Sequence, residues 1–358
     1  MAERNLDFDT VVDRRNTRCL KYDFAVRRGM PEDVLPLWVA DMDFRTSSYV
    51  EDALVQRSKE AIFGYSEVQR PYFDIVKGWM ERHHQWQGDE HRLGADNERK
   101  LVSSDLKQDV SGHYYMDLED LEEKIIKEKV RLLFLCNPHN PVGRVWTKEE
   151  LTALGDICVK HGVIVVSDEI HADFVFEGKH QVFAAIKKEF EEITITCTSP
   201  SKTFNLAGLM ISNIFIADRK LRHRFRKELD RAGISQLGVM GLVACEAAYS
   251  QGEVWYEKMH EYVKENIEYT REFVNTRLPG VKMGEHQGTY LVWLDFRETG
   301  LGVEELEYLV IHKAKLWLDS GRIFGDCGKG FQRINVACPR ETLTTALIRL
   351  EKALTEKE

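Results

Sequence analysis

The most regular pattern along the chain begins at residue 130. An apolar run over 130–136 leads into a turn rich in Asn and Pro. Thr147-Lys-Glu-Glu150 then opens a stretch in which Leu151, Leu154, Ile157 and Cys158 recur at helical spacing. A Thr three residues ahead of a Glu satisfies two backbone N–H groups at a helix start, so the pattern predicts a helix from 148 that stops at Gly162. Residues 163–166 are a further continuous apolar run, and Ile193-Thr-Ile-Thr-Cys197 reads as a third strand. Strand, helix, strand with unbroken apolar strands predicts a parallel sheet covered on both faces. Later, 238–250 and 253–277 read as helices, and 290–295 and 333–336 as strands of a smaller unit. The expected division is an N-terminal segment 1–45, without strong periodicity and packing on the small domain, a large domain 46–277 that includes the helix at about 253–277, and a small α+β domain 278–358. The expected class is α/β, with a mainly parallel sheet between helices.

Composition narrows the partners. With 358 residues, 43% of them hydrophobic, the chain can bury one large core or two smaller ones. A formal net charge of -9 offers no basic field for nucleic acid or anionic lipid. The charged start and the lack of any run near ~20 apolar residues predict no secretion leader and no membrane span, hence a cytoplasmic protein. Seven cysteines, at 19, 136, 158, 197, 245, 327 and 338, are an odd number spread widely, several in apolar runs. They read as reduced, buried thiols. No Cys-x-x-Cys pair occurs, and His83, His84 and His91 lack metal-site spacing, so no metal is expected. The tract 87–100 stands apart as almost purely polar.

Open α/β sheets bind ligands beyond the carboxyl ends of their strands, and three polar clusters fall at such ends. They are Asn137-Pro-His-Asn140-Pro-Val-Gly143-Arg144, Ser167-Asp168-Glu-Ile-His171-Ala-Asp173 and Ser199-Pro-Ser201-Lys202-Thr203-Phe204-Asn205. A carboxylate at the end of a buried strand stays ionised only if a cation or donors meet it, and a protonated ring nitrogen would do so. Lys202, at a strand-to-loop junction, can attack a carbonyl if burial or nearby charge lowers its pKa. Serines beside it can donate to a phosphate. Singly, Lys202 reads as a solvated loop lysine, Asp168 as a helix N-cap and Asn140 as a turn residue. Their joint order carries the signal.

That order, Asn-Pro-x-Asn-Pro-x-Gly, then Ser-Asp-Glu-Ile-His, then Ser-Pro-Ser-Lys-Thr-Phe-Asn-x-Ala-Gly, resembles the class I/II aminotransferase superfamily of fold-type I pyridoxal 5'-phosphate (PLP) enzymes. With Leu37-Trp-Val-Ala-Asp-Met-Asp-Phe44 and Ile62-Phe-Gly-Tyr65 added, the likeness is to the MalY/PatB-type cystathionine β-lyase branch, over nearly the whole chain. The resemblance implies PLP as cofactor, with Lys202 bonded to its aldehyde carbon, Asp168 on its ring nitrogen and Asn140 on its ring hydroxyl. His171 stands near that hydroxyl, and Ser199 and Ser201 flank the phosphate. Tyr65 would reach the phosphate of a partner subunit's cofactor, in a homodimer with shared sites. Arg333 would hold the substrate carboxylate, with Val39 and Ala40 also at the substrate. The implied reaction is β-elimination on a sulfur amino acid, with transamination as the alternative and a non-catalytic regulatory protein as a second.

The chain departs from that pattern in two places. Relatives carry roughly forty further residues where this chain has the tract 87–100, including a small-residue helix N-terminus that cups the phosphate and an aromatic that stacks on the ring. Neither is found here. Met210 stands where many aminotransferases have a phosphate-binding arginine.

Overall fold

The computed structural model describes residues 2–64, 66–85, 100–109, 112–234 and 237–355. The chain divides into two units. One comprises Met1–Arg4, Thr46–His139 and Arg144–Tyr256, and the other Asn5–Arg45, Asn140–Gly143 and Glu257–Glu358.

The first unit is built on a four-stranded sheet. Leu132–Cys136, Ile164–Asp168 and Thr194–Thr198 run parallel in that spatial order, and Asn213–Phe215 closes the far side antiparallel. The helix expected from 148 spans Lys148–His161. Thr147 and Glu150 form the reciprocal capping box, and Gly162 ends the helix at φ 63°, a conformation that glycine adopts without a Cβ penalty. Its inward residues Leu151, Leu154 and Cys158 pack with Leu135, Val165 and Phe190 on one face of the sheet. Gly155 lies on the same helix because a Cβ there would come within 2.3 Å of the Phe190 ring.

On the opposite face Val166, Ile195 and Ile214 lie under Phe225 and Leu229 of the helix Arg219–Arg231. That cover does not reach the first strand. Leu132 is 42% exposed and Phe134 70% exposed, so the strand expected to be buried on both faces is an edge with one face open.

The second unit holds an antiparallel sheet in the order Asp319–Ser320, Phe331–Asn335, Leu291–Asp295, Lys282–Met283. A short parallel pair, Leu35–Pro36 with Leu316–Trp317, ties the N-terminal segment into this unit. Leu343, Leu347 and Leu350 give the helix Arg340–Thr355 its buried stripe. The helix Glu253–Arg277 has the expected bounds, but the division falls within it, at Tyr256, rather than after residue 277. Asn266 explains this, since its amide donates to the Val336 and Cys338 carbonyls at 2.8 Å each while its Oδ1 accepts from Arg340 Nε at 2.7 Å.

The segment 5–45 is fastened by scattered apolar contacts, such as Ala25 and Val34 with Trp317, and by a buried charge cluster. Lys21 is fully buried and bonds Asp43 at 2.7 Å, and Arg14 bridges Asp41 at 2.6 Å and Asp43 at 2.8 Å. A cluster of that kind leaves no hydrophobic period in the sequence.

Candidate active site

Adjacent parallel strands of the first unit end level with one another, so Cys136, Asp168 and Cys197 are cross-strand neighbours. This register puts the Asp168 carboxylate at the carboxyl edge of the sheet, next to the turn that follows Thr198. The carboxylate accepts from the Ile170 N–H at 3.3 Å. Burial pushes its pKa up, the Ile170 N–H pulls it back, Glu169 adds to the rise and the Lys202 ammonium opposes it. The carboxylate and the amine thus share one electrostatic environment.

Lys202 is half-buried on the single helical turn Pro200–Thr203. Ser199 starts that turn, its Oγ accepting from the Ser201 N–H at 3.0 Å and donating to the Ile211 carbonyl at 2.6 Å. Its one hydroxyl proton is therefore committed to the protein. Ser199 thus shapes the turn that carries Lys202. Ser201 remains half-buried on the turn itself.

Behind Lys202 lies a polar network that the sequence did not reveal. Thr203 Oγ1 donates to Asp173 at 2.5 Å, and the same carboxylate meets His84 Nε2 at 2.7 Å and Trp79 Nε1 at 3.2 Å. Burial pushes Asp173 up, but hydrogen bonding and charge from His84, with the Thr203 hydroxyl, outweigh it and hold the carboxyl below its ordinary value. A second buried carboxylate, Glu169, accepts from Ser167 Oγ at 2.8 Å and meets His180 Nε2 at 2.8 Å. His171, 3% exposed, sits between Asp168 and Asp173 in sequence. Only the placement of Asp173 one turn past Asp168 hinted at this network.

Four expected residues belong to the second unit. Arg333 is 7% exposed, in the strand Phe331–Asn335. Its Nη1 donates to Asn140 Oδ1 at 2.8 Å and its Nη2 to the Trp38 carbonyl at 3.2 Å, with a short contact to Asp319. That bond orients the Asn140 amide, with Oδ1 toward Arg333. Val39 and Ala40 lie in a segment whose carbonyls are pinned in succession. Asn335 Nδ2 donates to Val39 O and Asp41 O at 2.7 Å each, and Tyr290 OH to Ala40 O at 3.0 Å. Asn335, Tyr290 and Asp319 were not singled out in the sequence, because a polar residue within an apolar strand gives no sign of its partner. Tyr65 and residues 86–99 of the polar tract lie outside the described residues.

Among the described residues no group of three or more His, Cys, Asp or Glu side chains could hold a metal ion, and no helix is long and apolar enough to cross a membrane.

Residues 100–350 match the family model described as aminotransferase class I and II. Cystathionine beta-lyase PatB of Bacillus subtilis is 38% identical over 98% of this chain and 100% of its own length. That alignment runs over 387 positions, so at least 29, the excess over the 358 residues here, have no residue in this chain. Cystalysin from Treponema denticola, whose crystal structure contains a pyridoxal 5'-phosphate cofactor, superposes with TM-score 0.91 at 34% identity, covering 97% of this chain and 98% of that one. The PLP-bound C-S lyase from Staphylococcus hominis gives TM-score 0.89 at 28% identity, covering 98% of each. These likenesses extend over nearly the whole chain, which belongs to the aminotransferase class I and II family, with the cystathionine β-lyases among its full-length relatives.

Proposed function

We propose that this protein is a PLP-dependent carbon-sulfur lyase that cleaves cystathionine or a similar cysteine conjugate into a thiol, pyruvate and ammonia. The observation that carries the reading is the Asp168 carboxylate, raised by burial and sharing its surroundings with the Lys202 amine. Among the described residues it has no cation in hydrogen-bond contact, which suits a protonated ring nitrogen.

The donor set fits the cofactor. Lys202 would bond its aldehyde carbon, Asp168 its ring nitrogen, Asn140 and His171 would lie at its ring hydroxyl, and Ser201 at its phosphate. When bound, the cofactor supplies an electron-accepting ring that stabilises the charge left by removal of the α-proton. Arg333 holds the substrate carboxylate, a task for which a planar guanidinium is better suited than an ammonium. Val39 and Ala40, on the pinned segment, bound the substrate. Lys202 Nζ, freed from the cofactor by the substrate amine, takes the α-proton as general base. The sulfur then departs from the β-carbon as a thiolate, and water releases ammonia and pyruvate. The family pattern at Tyr65 supports a homodimer with shared sites as the active form.

A second reading, a non-catalytic protein of the same fold, is favoured by the alignment positions that have no counterpart here. One experiment separates the two. Addition of PLP is expected to produce the visible absorbance band of lysine-bound cofactor, lost in Lys202→Ala, and incubation with cystathionine to yield thiol and pyruvate in equal amounts. A wild-type protein without the band would favour the non-catalytic reading. A keto acid accompanied by the amino form of the cofactor would favour transamination.

A further inference from the structure

The Nη2 group of Arg333 is fully committed within the protein. A guanidinium carries five N–H groups, and both edges on which it can hold a carboxylate through two parallel bonds include Nη2. Here Nη2 is already committed twice, to the Trp38 carbonyl at 3.2 Å and to Asp319 Oδ2. Nη1 donates to Asn140 at 2.8 Å, while Nε is buried without a hydrogen-bond partner. Asp319 and Arg333 are direct cross-strand neighbours in the antiparallel pair of Asp319–Ser320 with Phe331–Asn335, and their side chains are 11% and 9% exposed. The contact is thus built into the strand register.

We propose that Asp319 is a specificity-determining residue that occupies the substrate-carboxylate site of Arg333 in the resting protein, so that a substrate must displace it to bind with two hydrogen bonds. The inference rests on the reading that Arg333 receives the substrate carboxylate. Of the two acceptors on Nη2, the Trp38 carbonyl belongs to a backbone segment pinned at each successive residue, whereas Asp319 ends in a side chain that can rotate. Asp319 is the acceptor that yields. Burial, partly offset by Arg333, keeps its carboxyl above the ordinary range, so the pair is held below its full strength. On release, the guanidinium regains an edge with Nε and Nη2 both available, which relieves the unpartnered Nε–H. A ligand of the wrong shape that brings only one oxygen cannot make the exchange, so the residue selects for planar carboxylates at the expense of overall affinity.

The test uses propionate, a carboxylate with neither amine nor leaving group, titrated by calorimetry into the purified wild type, Asp319→Asn and Asp319→Ala. Both variants are expected to bind it roughly tenfold more tightly than wild type, and to lower KM in the cystathionine assay. Unchanged or weaker binding in both variants would show that Asp319 only orients Arg333 and would overturn the proposal. Since a variant can fail to fold, the wild-type protein is also crystallised with propionate. The Asp319 carboxylate must then have left Nη2, and an intact contact beside the bound ligand sinks the idea. Failure of the wider lyase reading looks different, since Arg333→Ala would then leave propionate binding unaltered and no variant would cleave cystathionine.

Discussion

Asp173 accepts hydrogen bonds from three side chains, whereas Asp168, earlier in the same loop, meets a backbone N–H. Removing Asp173 strands the Thr203, His84 and Trp79 donors in the interior, so Asp173→Ala is expected to cost about 3 kcal/mol or more in urea unfolding. Because the folded-state pKa of Asp173 lies below its ordinary value, its stabilisation is present above the unfolded value near ~4 and is lost as pH falls through the lower folded one. The stability gap between wild type and Asp173→Asn should accordingly shrink on acidification below about pH 4. Asp168 has the opposite sign. Its folded pKa is raised, so its ionised form is a burden above that value and the burden vanishes below the unfolded one. Asp168→Asn should therefore stabilise the cofactor-free protein at pH 7 by roughly 0.5–1 kcal/mol while weakening PLP binding, a trade expected where a group serves function rather than folding. Thermal melts without cofactor and a PLP titration check the two halves separately.

At the scale of elements, the turn that carries Lys202 depends on one hydroxyl. Ser199→Ala removes the cap on Ser201 and the partner of the Ile211 carbonyl together, at a cost of about 1–2 kcal/mol in thermal unfolding. Such local features are largely legible in sequence. The capping box at Thr147, the stop at Gly162 and the strand-like runs that became Ile164–Asp168 and Thr194–Thr198 each follow from a short pattern with its own mechanism. Less legible was the edge at Leu132–Cys136, because a continuous apolar run looks the same whether its second face is covered or open. The segment 5–45 escaped for a different reason, since its anchors are scattered apolar contacts and the ion pairs of Lys21 and Arg14 rather than a periodic stripe.

For the molecule as a whole, cofactor binding and folding are linked. A ligand that binds only the folded state at a hundred times its Kd stabilises by about 2.7 kcal/mol, which in a chain of this size raises Tm by roughly 2–4 °C. Saturating PLP is expected to produce that shift in the wild type and a much smaller one in Lys202→Ala, as read by scanning calorimetry. The sequence alone determined the order of the motifs, the strand end that carries Asp168, the turn after a strand that carries Lys202, and the family, because these depend on residue type and spacing along the chain. Tertiary structure decided which polar groups meet. It paired Arg333 with Asp319 and Asn140, gave the Ser199 proton to Ile211 and enclosed Asp173 among three donors, contacts that depend on sheet register and burial between residues as far apart as 140 and 333.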